Sequence, residues 1–152
     1  MSKNKLKFNL ISAKETYPLR QMNLRQKLAV EECSFDHDDD ATTFHIGAVV
    51  QHKIVSIATF VQEPCKGLEA KLPYRLRGMS THKEFQGQGL GTELIAFAEI
   101  ELKERHCDLV WCHARMKAVK FYQDSGFQII GQDFEIEGIG PHKTMYKVLI
   151  PR

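Results

Sequence analysis

The chain has 152 residues, of which 43% are hydrophobic and 26% are charged, as in an ordinary globular protein. This length predicts a single domain, residues 1–152, with a hydrophobic core of its own. Lysine and arginine number 21 against 19 aspartates and glutamates, so the net charge is only +2. This balance argues against nucleic acid and membrane surfaces as partners, because proteins that bind either one concentrate basic residues on one face.

The cysteines and the N-terminal segment indicate the cellular compartment in which the protein is expected. Cys33, Cys65, Cys107 and Cys112 form no CxxC pairs, which predicts reduced thiols and no zinc site. The segment "MSKNKLKFNL" lacks the apolar core of a signal peptide, and no apolar run reaches transmembrane length. We therefore expect a cytoplasmic protein without a metal cofactor.

The first half of the chain predicts strands around one helix. "LKFNLIS" (6–12) alternates apolar and polar residues and predicts a first strand, after which Thr16 is expected to cap a helix that begins near Pro18. The acidic segment "EECSFDHDDD" (31–40) is interpreted as a solvated loop, although attraction of a cationic acceptor stays open. "FHIGAVV" and "IVSIATFV" are β-branched runs that predict a hairpin, although the residues between them are poor turn formers.

The second half predicts strands and helices in alternation. "YRLRGMST" indicates a strand, and an amphipathic helix is expected over about 90–105. "CDLVWCHA" predicts another strand, and "MKAVKFYQDSG" predicts a short helix that ends at Gly126. "FQII" and "HKTMYKVLI" follow as strands. The resulting order, β-α-β-β-β-α-β-α-β-β, predicts an α/β protein with both parallel and antiparallel pairs.

Three glycines stand at alternate positions in "FQGQGLG" (85–91), between a predicted strand and a predicted helix. A glycine turn before a helix is suited to anions, because free backbone N–H groups and the helix dipole both point at it. The Walker pattern is excluded by the absence of its lysine, and the dinucleotide pattern GxGxxG fails at Thr92. The remaining pattern is QxxGxG.

This pattern, with "AVKFYQDSGF" (118–127) downstream, resembles the GCN5-related N-acetyltransferase (GNAT) superfamily, and the region near the C-terminus resembles a subgroup of uncharacterised bacterial members. In that superfamily [RQ]xxGxG cradles the pyrophosphate of acetyl-CoA. The resemblance covers about 44–149. It implies the GNAT fold of class α/β (α+β): a single mixed, mostly antiparallel sheet of six to seven strands, splayed in a V between the central strands and flanked by about four helices.

The resemblance also implies cofactor-binding residues. The main chain of Met79, Ser80 and Thr81 is expected to bind the pantetheine arm as an added strand would, with one N–H polarising the acetyl carbonyl. The pyrophosphate is expected to lie against Gln86, Gly87, Gln88, Gly89, Leu90, Gly91 and Thr92. Tyr122 matches the residue whose hydroxyl protonates the leaving thiolate as general acid, and Phe121 is expected to contact the cofactor.

The general base and the acceptor site are less defined. His113 ends a predicted strand and is a candidate base, acting directly or through water, with His82 as a second candidate. Arg75 and Arg77 share one face of a strand, where they would either grip a carboxylate or phosphate of the acceptor or form a salt-bridged surface. The superfamily often has Asn where this chain has Arg115, so a cofactor contact at that position is in doubt.

The predicted function is therefore acetyl transfer from acetyl-CoA to the primary amine of a small-molecule or amino-acid-like acceptor, by direct attack in a ternary complex. Two alternatives stay open: a non-catalytic module that binds or senses acyl-CoA, and a protein or peptide N-acetyltransferase. The resemblance and the apolar final strand "MYKVLI" both allow a homodimer.

Overall fold

The computed structural model describes residues 5–152, which form seven strands and three α-helices in the predicted order, together with three short 3₁₀ helices. The strands are β1 (Leu6–Ile11), β2 (Phe44–Val50), β3 (Lys53–Gln62), β4 (Pro73–Thr81), β5 (Leu109–Arg115), β6 (Gln128–Ile136) and β7 (Gly140–Val148). The α-helices are α1 (Ala13–Asn23), α2 (Leu90–Glu104) and α3 (Val119–Asp124). The 3₁₀ helices are Val30–Glu32, Lys83–Phe85 and Met116–Ala118.

The strands lie in one mixed sheet with the order β1-β2-β3-β4-β5-β7-β6. The pairs β1–β2, β2–β3, β5–β7 and β6–β7 are antiparallel, whereas β4 and β5 pair in parallel. The parallel ladder joins Pro73–Arg75 to residues 109–111. The splay between the central strands stays a prediction. The predicted fold class, mixed and mostly antiparallel, is confirmed, but residues 5–152 form three α-helices where about four were predicted.

The described residues cluster into two compact units. The first contains the residues up to Val61 and Arg77–Ala98, and the second contains Gln62–Leu76 and Glu99–Arg152. The assignment of the chain as a single domain stays a prediction. Apolar residues of the central strands and of α2 fill the core of the first unit: Ile46, Ala48, Val55, Ile57, Phe60 and Leu94. In the second unit, Cys65, Leu109 and Trp111 form a buried cluster.

The start of α1 differs from the prediction, because Ser12 rather than Thr16 is the capping residue. The Ser12 hydroxyl accepts a hydrogen bond from the Glu15 N–H at 3.3 Å, and the Glu15 carboxylate accepts one from the Ser12 N–H at 2.8 Å. This reciprocal pair is a capping box, and its S-x-x-E pattern was visible in the sequence. Pro18 lies inside the helix instead of opening it.

The hairpin between β2 and β3 forms without glycine. Gln51 and His52 adopt φ angles of 50° and 66°, and Val50 pairs with Lys53 across them. Positive φ at both central residues is the conformation of the tight turn that matches the twist of paired strands. The predicted hairpin forms although its turn residues are unfavourable. The two strands beside the turn are buried, and their pairing places Gln51 and His52 in the turn.

Part of the acidic segment is buried rather than solvated. Arg20 is 0% exposed, and its guanidinium donates to both Asp38 carboxylate oxygens, at 2.7 and 3.0 Å. The same group donates to the Thr59 hydroxyl at 2.8 Å and to the Cys33 carbonyl at 3.0 Å. Burial acts to raise the pKa of Asp38, but hydrogen bonds from Arg20 and from the Phe35 N–H outweigh it and hold that pKa below its usual value. The ion pair thus attaches this segment to α1 and β3.

Replacing Arg20 by methionine is expected to lower the free energy of unfolding by about 3–5 kcal/mol, because it leaves the Asp38 carboxylate buried without its cation. The double variant Arg20→Met/Asp38→Leu should recover much of the loss. Lys120→Met, which breaks an ion pair whose side chains are 84% and 65% exposed, is the control and should have little effect. Urea unfolding measures all three variants.

The same ion pair gives a pH dependence. The pKa of Asp38 is lower in the folded state than in the unfolded state, where it is about 3.8. The stability that Asp38 contributes is therefore fully present above about pH 3.8 and is lost as the pH falls through the pKa of the folded state. The free energy of unfolding should therefore fall more steeply between pH 5 and pH 2 for the wild type than for the double variant Arg20→Met/Asp38→Leu. Equal slopes would show that Asp38 does not carry this pH dependence.

Candidate active site

The glycine turn leads from β4, through the 3₁₀ helix Lys83–Phe85, into α2. Gly87 and Gly89 adopt φ angles of 77° and 81°, in the left-handed region that favours glycine. A Cβ atom built at either position would meet no heavy atom within 4 Å. The two glycines therefore bend the main chain and leave one side of it open to a close approach.

The open side of the turn lies at the start of a long helix. The Gly89 carbonyl accepts a hydrogen bond from the Glu93 N–H at 3.2 Å, which begins the ladder of the 15-residue helix α2. The predicted apolar stripe of this helix is buried throughout: Leu90, Leu94, Ile95, Ala98 and Leu102. N–H groups in the first turn of a helix have no acceptor within the helix, so the turn presents donors and a positive dipole end to an anion.

Polar side chains beside the turn fix its backbone. The Gln86 amide donates to the Thr81 carbonyl at 3.0 Å, and the Gln88 amide donates to the Glu84 carbonyl at 3.4 Å. The Nδ1 atom of His82 accepts a hydrogen bond from the Glu84 N–H at 3.1 Å. His82, a candidate base, therefore uses one ring nitrogen as a helix cap.

The end of β4, predicted to bind the pantetheine arm, is held by side chains from other elements. The Asn23 amide donates to the Ser80 hydroxyl at 2.6 Å and to the Thr81 carbonyl at 2.8 Å. The hydroxyls of Ser56 and Thr81 lie 2.8 Å apart, and the Ser80 hydroxyl donates to the Leu19 carbonyl at 3.2 Å. Asn23 was missed by the sequence analysis, because a polar residue at the end of a helix carries no signal for a contact so far along the chain.

Gly78 interrupts β4 just before this segment. Its φ angle is 61°, and a Cβ atom there would lie 2.7 Å from Cε2 of Phe35. A left-handed residue inside a strand redirects the main chain, and the close ring leaves no room for a side chain. Phe35 therefore packs directly against the residue that precedes Met79.

Tyr122 lies on α3 in the second unit and is 8% exposed. Its ring contacts those of Phe121 and Phe127, with centroids 5.1 and 5.3 Å away. Burial raises the pKa of Tyr122 well above its ordinary value, and the neighbouring Cys112 thiol raises it further. A tyrosine with its ordinary pKa is already protonated at neutral pH, and the raised pKa of Tyr122 keeps it so while making the hydroxyl a weaker acid. Gly126, with a φ angle of 97°, follows the end of the helix as predicted.

Arg75 forms part of an ion-pair network in the second unit. Its guanidinium donates to the Glu63 carboxylate at 3.3 Å and to Nδ1 of His113 at 3.2 Å, and it lies 5.1 Å from the Trp111 ring centroid. The His113 ring packs between Trp111 and Phe134, with centroids 5.2 and 4.7 Å away. Because a guanidinium can only donate, Nδ1 of His113 is an acceptor here, and the neutral ring carries its proton on Nε2.

Arg77, on the same strand, has different neighbours. Its guanidinium carbon lies 4.8 Å from the centroid of the Phe35 ring, in the first unit. The two arginines predicted to act together thus have separate contacts: Arg75 has the salt bridge that the sequence left open, whereas Arg77 stacks on an aromatic ring. A role for either arginine in acceptor binding stays a prediction.

Residues 5–152 contain neither a cluster of metal-ligating side chains nor a helix that could span a membrane. Within that range no three histidine, cysteine, aspartate or glutamate side chains are grouped so that they could hold a metal ion. All four cysteines are buried and free. The helices of the same range are too short or too polar to span a membrane.

Known proteins are similar to this chain in sequence and in fold. Residues 17–149 match the family model described as an acetyltransferase (GNAT) domain. The protein YitI of Bacillus subtilis strain 168, described as an uncharacterized N-acetyltransferase, is 36% identical over 144 residues, which are 95% of this chain and 97% of that protein.

Two solved structures share the fold. An acetyltransferase of the GNAT family from Streptococcus pneumoniae superimposes with a TM-score of 0.72 at 19% identity, covering 96% of this chain and 100% of that one. An aminoglycoside 6'-N-acetyltransferase solved in complex with coenzyme A gives a TM-score of 0.75 at 14% identity, covering 96% and 98%. At these identities the two structures support the fold alone.

The family model matched over residues 17–149, together with a relative at 36% identity described as an N-acetyltransferase, defines the class of protein, an acyltransferase. The chain belongs to the GNAT acetyltransferase family. Membership confirms the predicted superfamily and the predicted enzyme class, an acyltransferase that uses acetyl-CoA as co-substrate.

Proposed function

We propose that this protein transfers the acetyl group of acetyl-CoA to the primary amine of a small-molecule or amino-acid-like acceptor, by direct attack in a ternary complex. The observation that carries the proposal is the glycine turn, where Gly87 and Gly89 leave the main chain open at the first turn of α2. The pyrophosphate is assigned to the backbone N–H groups of residues 86–92, because N–H groups at the start of a helix bind anions without a cationic side chain.

The main chain of Met79, Ser80 and Thr81 is assigned to the pantetheine arm and the acetyl carbonyl. Hydrogen bonds from Asn23 and Ser56 to this segment support the assignment, because a donor that polarises a carbonyl works best when it is already fixed in place. Phe121, beside Tyr122, is assigned to a contact with the cofactor.

Tyr122 is assigned as the general acid that protonates the departing thiolate. The match of the segment 118–127, with Tyr122 packed between Phe121 and Phe127, supports this role. His113 is the candidate base for the amine, but its Nδ1 lone pair accepts a hydrogen bond from Arg75. His113 can act as that base only if Arg75 releases the nitrogen, whereas an acceptor that binds as the neutral amine needs no base to deprotonate it.

The remaining assignments are also proposals. A homodimer is supported by the exposed apolar side chains of Val148 and Ile150 at the end of the chain, which are 65% and 82% exposed. A cytoplasmic location, and a lack of nucleic-acid and membrane partners, follow only from composition and charge.

Steady-state kinetics with acetyl-CoA and a panel of primary amines test the proposed function. Release of the CoA thiol and mass spectrometry of the N-acetylated product measure turnover. Direct attack predicts intersecting double-reciprocal lines when both substrates are varied. Parallel lines would indicate a covalent acetyl-enzyme instead, and tight CoA binding without turnover of any amine or peptide would indicate a sensing module.

A further inference from the structure

Three arginines surround the ring of Phe35 in the first unit. The guanidinium carbons of Arg20, Arg25 and Arg77 lie 3.7, 4.9 and 4.8 Å from the ring centroid. The charge of Arg20 is matched by the bidentate pair with Asp38. Arg25 has no carboxylate within ion-pairing distance among residues 5–152, so the cluster carries positive charge beyond what its own carboxylate neutralises.

The cluster lies beside the segment assigned to the acetyl group. Phe35 packs against Gly78, and Arg77 immediately precedes Gly78 in the chain. Met79, the first residue assigned to the thioester end of acetyl-CoA, is the next residue. The partly exposed cations Arg25 and Arg77 therefore contact one aromatic ring, and that ring packs against Gly78, the residue before Met79.

The acidic segment (31–40), which contains Phe35, uses several of its carboxylates in contacts of its own. Asp38 is bound to Arg20, the Asp40 carboxylate pairs with His37 at 2.9 Å, and the Glu32 carboxylate accepts a hydrogen bond from the Ala29 N–H at 3.0 Å. Three of the six carboxylates of the segment are thus engaged in contacts that fix its structure, and attraction of a cationic acceptor by the segment stays a prediction.

We propose that the acceptor is an amine that also carries a carboxylate, such as a free amino acid, and that Arg25 and Arg77 bind this carboxylate beside the Phe35 ring. The inference rests on the proposed function and narrows its acceptor. Guanidinium groups bind carboxylates through paired hydrogen bonds, and a stacked ring holds the guanidinium plane in place at little entropic cost. A cationic amine without a carboxylate would be repelled by the same groups.

Matched substrates test the inference. Glycine, alanine, leucine, glutamate and lysine are compared with their carboxamides, which keep the amine and remove the negative charge. The wild type should acetylate at least one acid with a kcat/KM at least tenfold above that of its amide. In Arg25→Met and Arg77→Met, the KM for that acid should rise about tenfold to a hundredfold, while the KM for its amide should not change.

Two controls test whether the effect belongs to the acceptor carboxylate and to these two arginines. Arg152→Met removes an arginine whose side chain is 70% exposed and paired with Glu104. It should change neither the KM for the acid nor the KM for its amide. The KM for acetyl-CoA should also stay constant in Arg25→Met and Arg77→Met. A rise in that KM would assign the arginines to a phosphate of CoA and overturn the inference.

A binding measurement distinguishes failure of this inference from failure of the proposed function. With CoA bound, the N-acetyl derivatives of the five acids should stabilise the wild type against heat more than the N-acetyl carboxamides do, and Arg25→Met should abolish the difference. Equal effects of acid and amide, or acetylation of amides and polyamines as fast as acids, would overturn the carboxylate site while leaving acetyl transfer intact. Failure to bind CoA or to acetylate any amine would overturn both.

Discussion

Replacing Gly89 with alanine is expected to lower the affinity for CoA at least about tenfold and to remove most of the thermal stabilisation that CoA provides. The added Cβ would occupy the open side of the turn, where the phosphate oxygens are proposed to approach the main chain. An alanine at a φ angle of 81° also costs about 1–2 kcal/mol of conformational strain, so the variant will be less stable without ligand.

Gly138 provides a matched control for the strain. It has the same φ angle of 81° and open space at its Cβ position, but it lies in the turn between β6 and β7. Gly138→Ala should lose similar stability and keep the full CoA-induced shift in melting temperature. If Gly89→Ala keeps that shift too, or if both variants lose it equally, the glycine turn is not the phosphate site.

Replacing Tyr122 with phenylalanine is expected to reduce kcat by about 10²- to 10⁴-fold, the range that general acid catalysis contributes. The thiolate would then have to leave without a proton from the protein. Because burial raises the pKa of this hydroxyl, the wild type should not lose activity through its deprotonation below the ordinary tyrosine pKa of 10.0. The KM for acetyl-CoA should hardly change in the variant.

Tyr74→Phe controls for the loss of a buried hydroxyl. Tyr74 is 2% exposed and belongs to the same compact unit, but it lies near the start of β4 and has no assigned role in catalysis. It should keep kcat within a few-fold of the wild type. A Tyr122→Phe enzyme as active as Tyr74→Phe would mean that another group, or water, protonates the thiolate.

Most of the fold could be predicted because its signals are local. Strand β2 begins and ends at the predicted residues, Phe44 and Val50. The apolar stripe of α2 is buried as its spacing indicates. The boundary of α1 was wrong because Pro18 carried more weight than the S-x-x-E pattern that begins at Ser12. The glycine turn was identifiable because three closely spaced glycines leave a visible pattern.

The supports of the site could not be predicted, because their partners are distant in the sequence. Arg20 and Asp38 are 18 residues apart, and Asn23 and Ser80 are 57 residues apart. A lone arginine in a helix and an aspartate in an acidic run are usually solvated, so nothing local marks them as buried partners. The same holds for Phe35, whose importance comes from three arginines and a glycine that only the fold brings to it.

Donor binding is assigned to the glycine turn and proton delivery to Tyr122, and steady-state kinetics of the two variants in parallel test this division most directly. With a saturating amine, Gly89→Ala should raise KM for acetyl-CoA at least about tenfold and keep kcat at saturation, whereas Tyr122→Phe should lower kcat and keep KM. That pattern is the expected result. If both substitutions change the same parameter, or neither changes any, the division is contradicted.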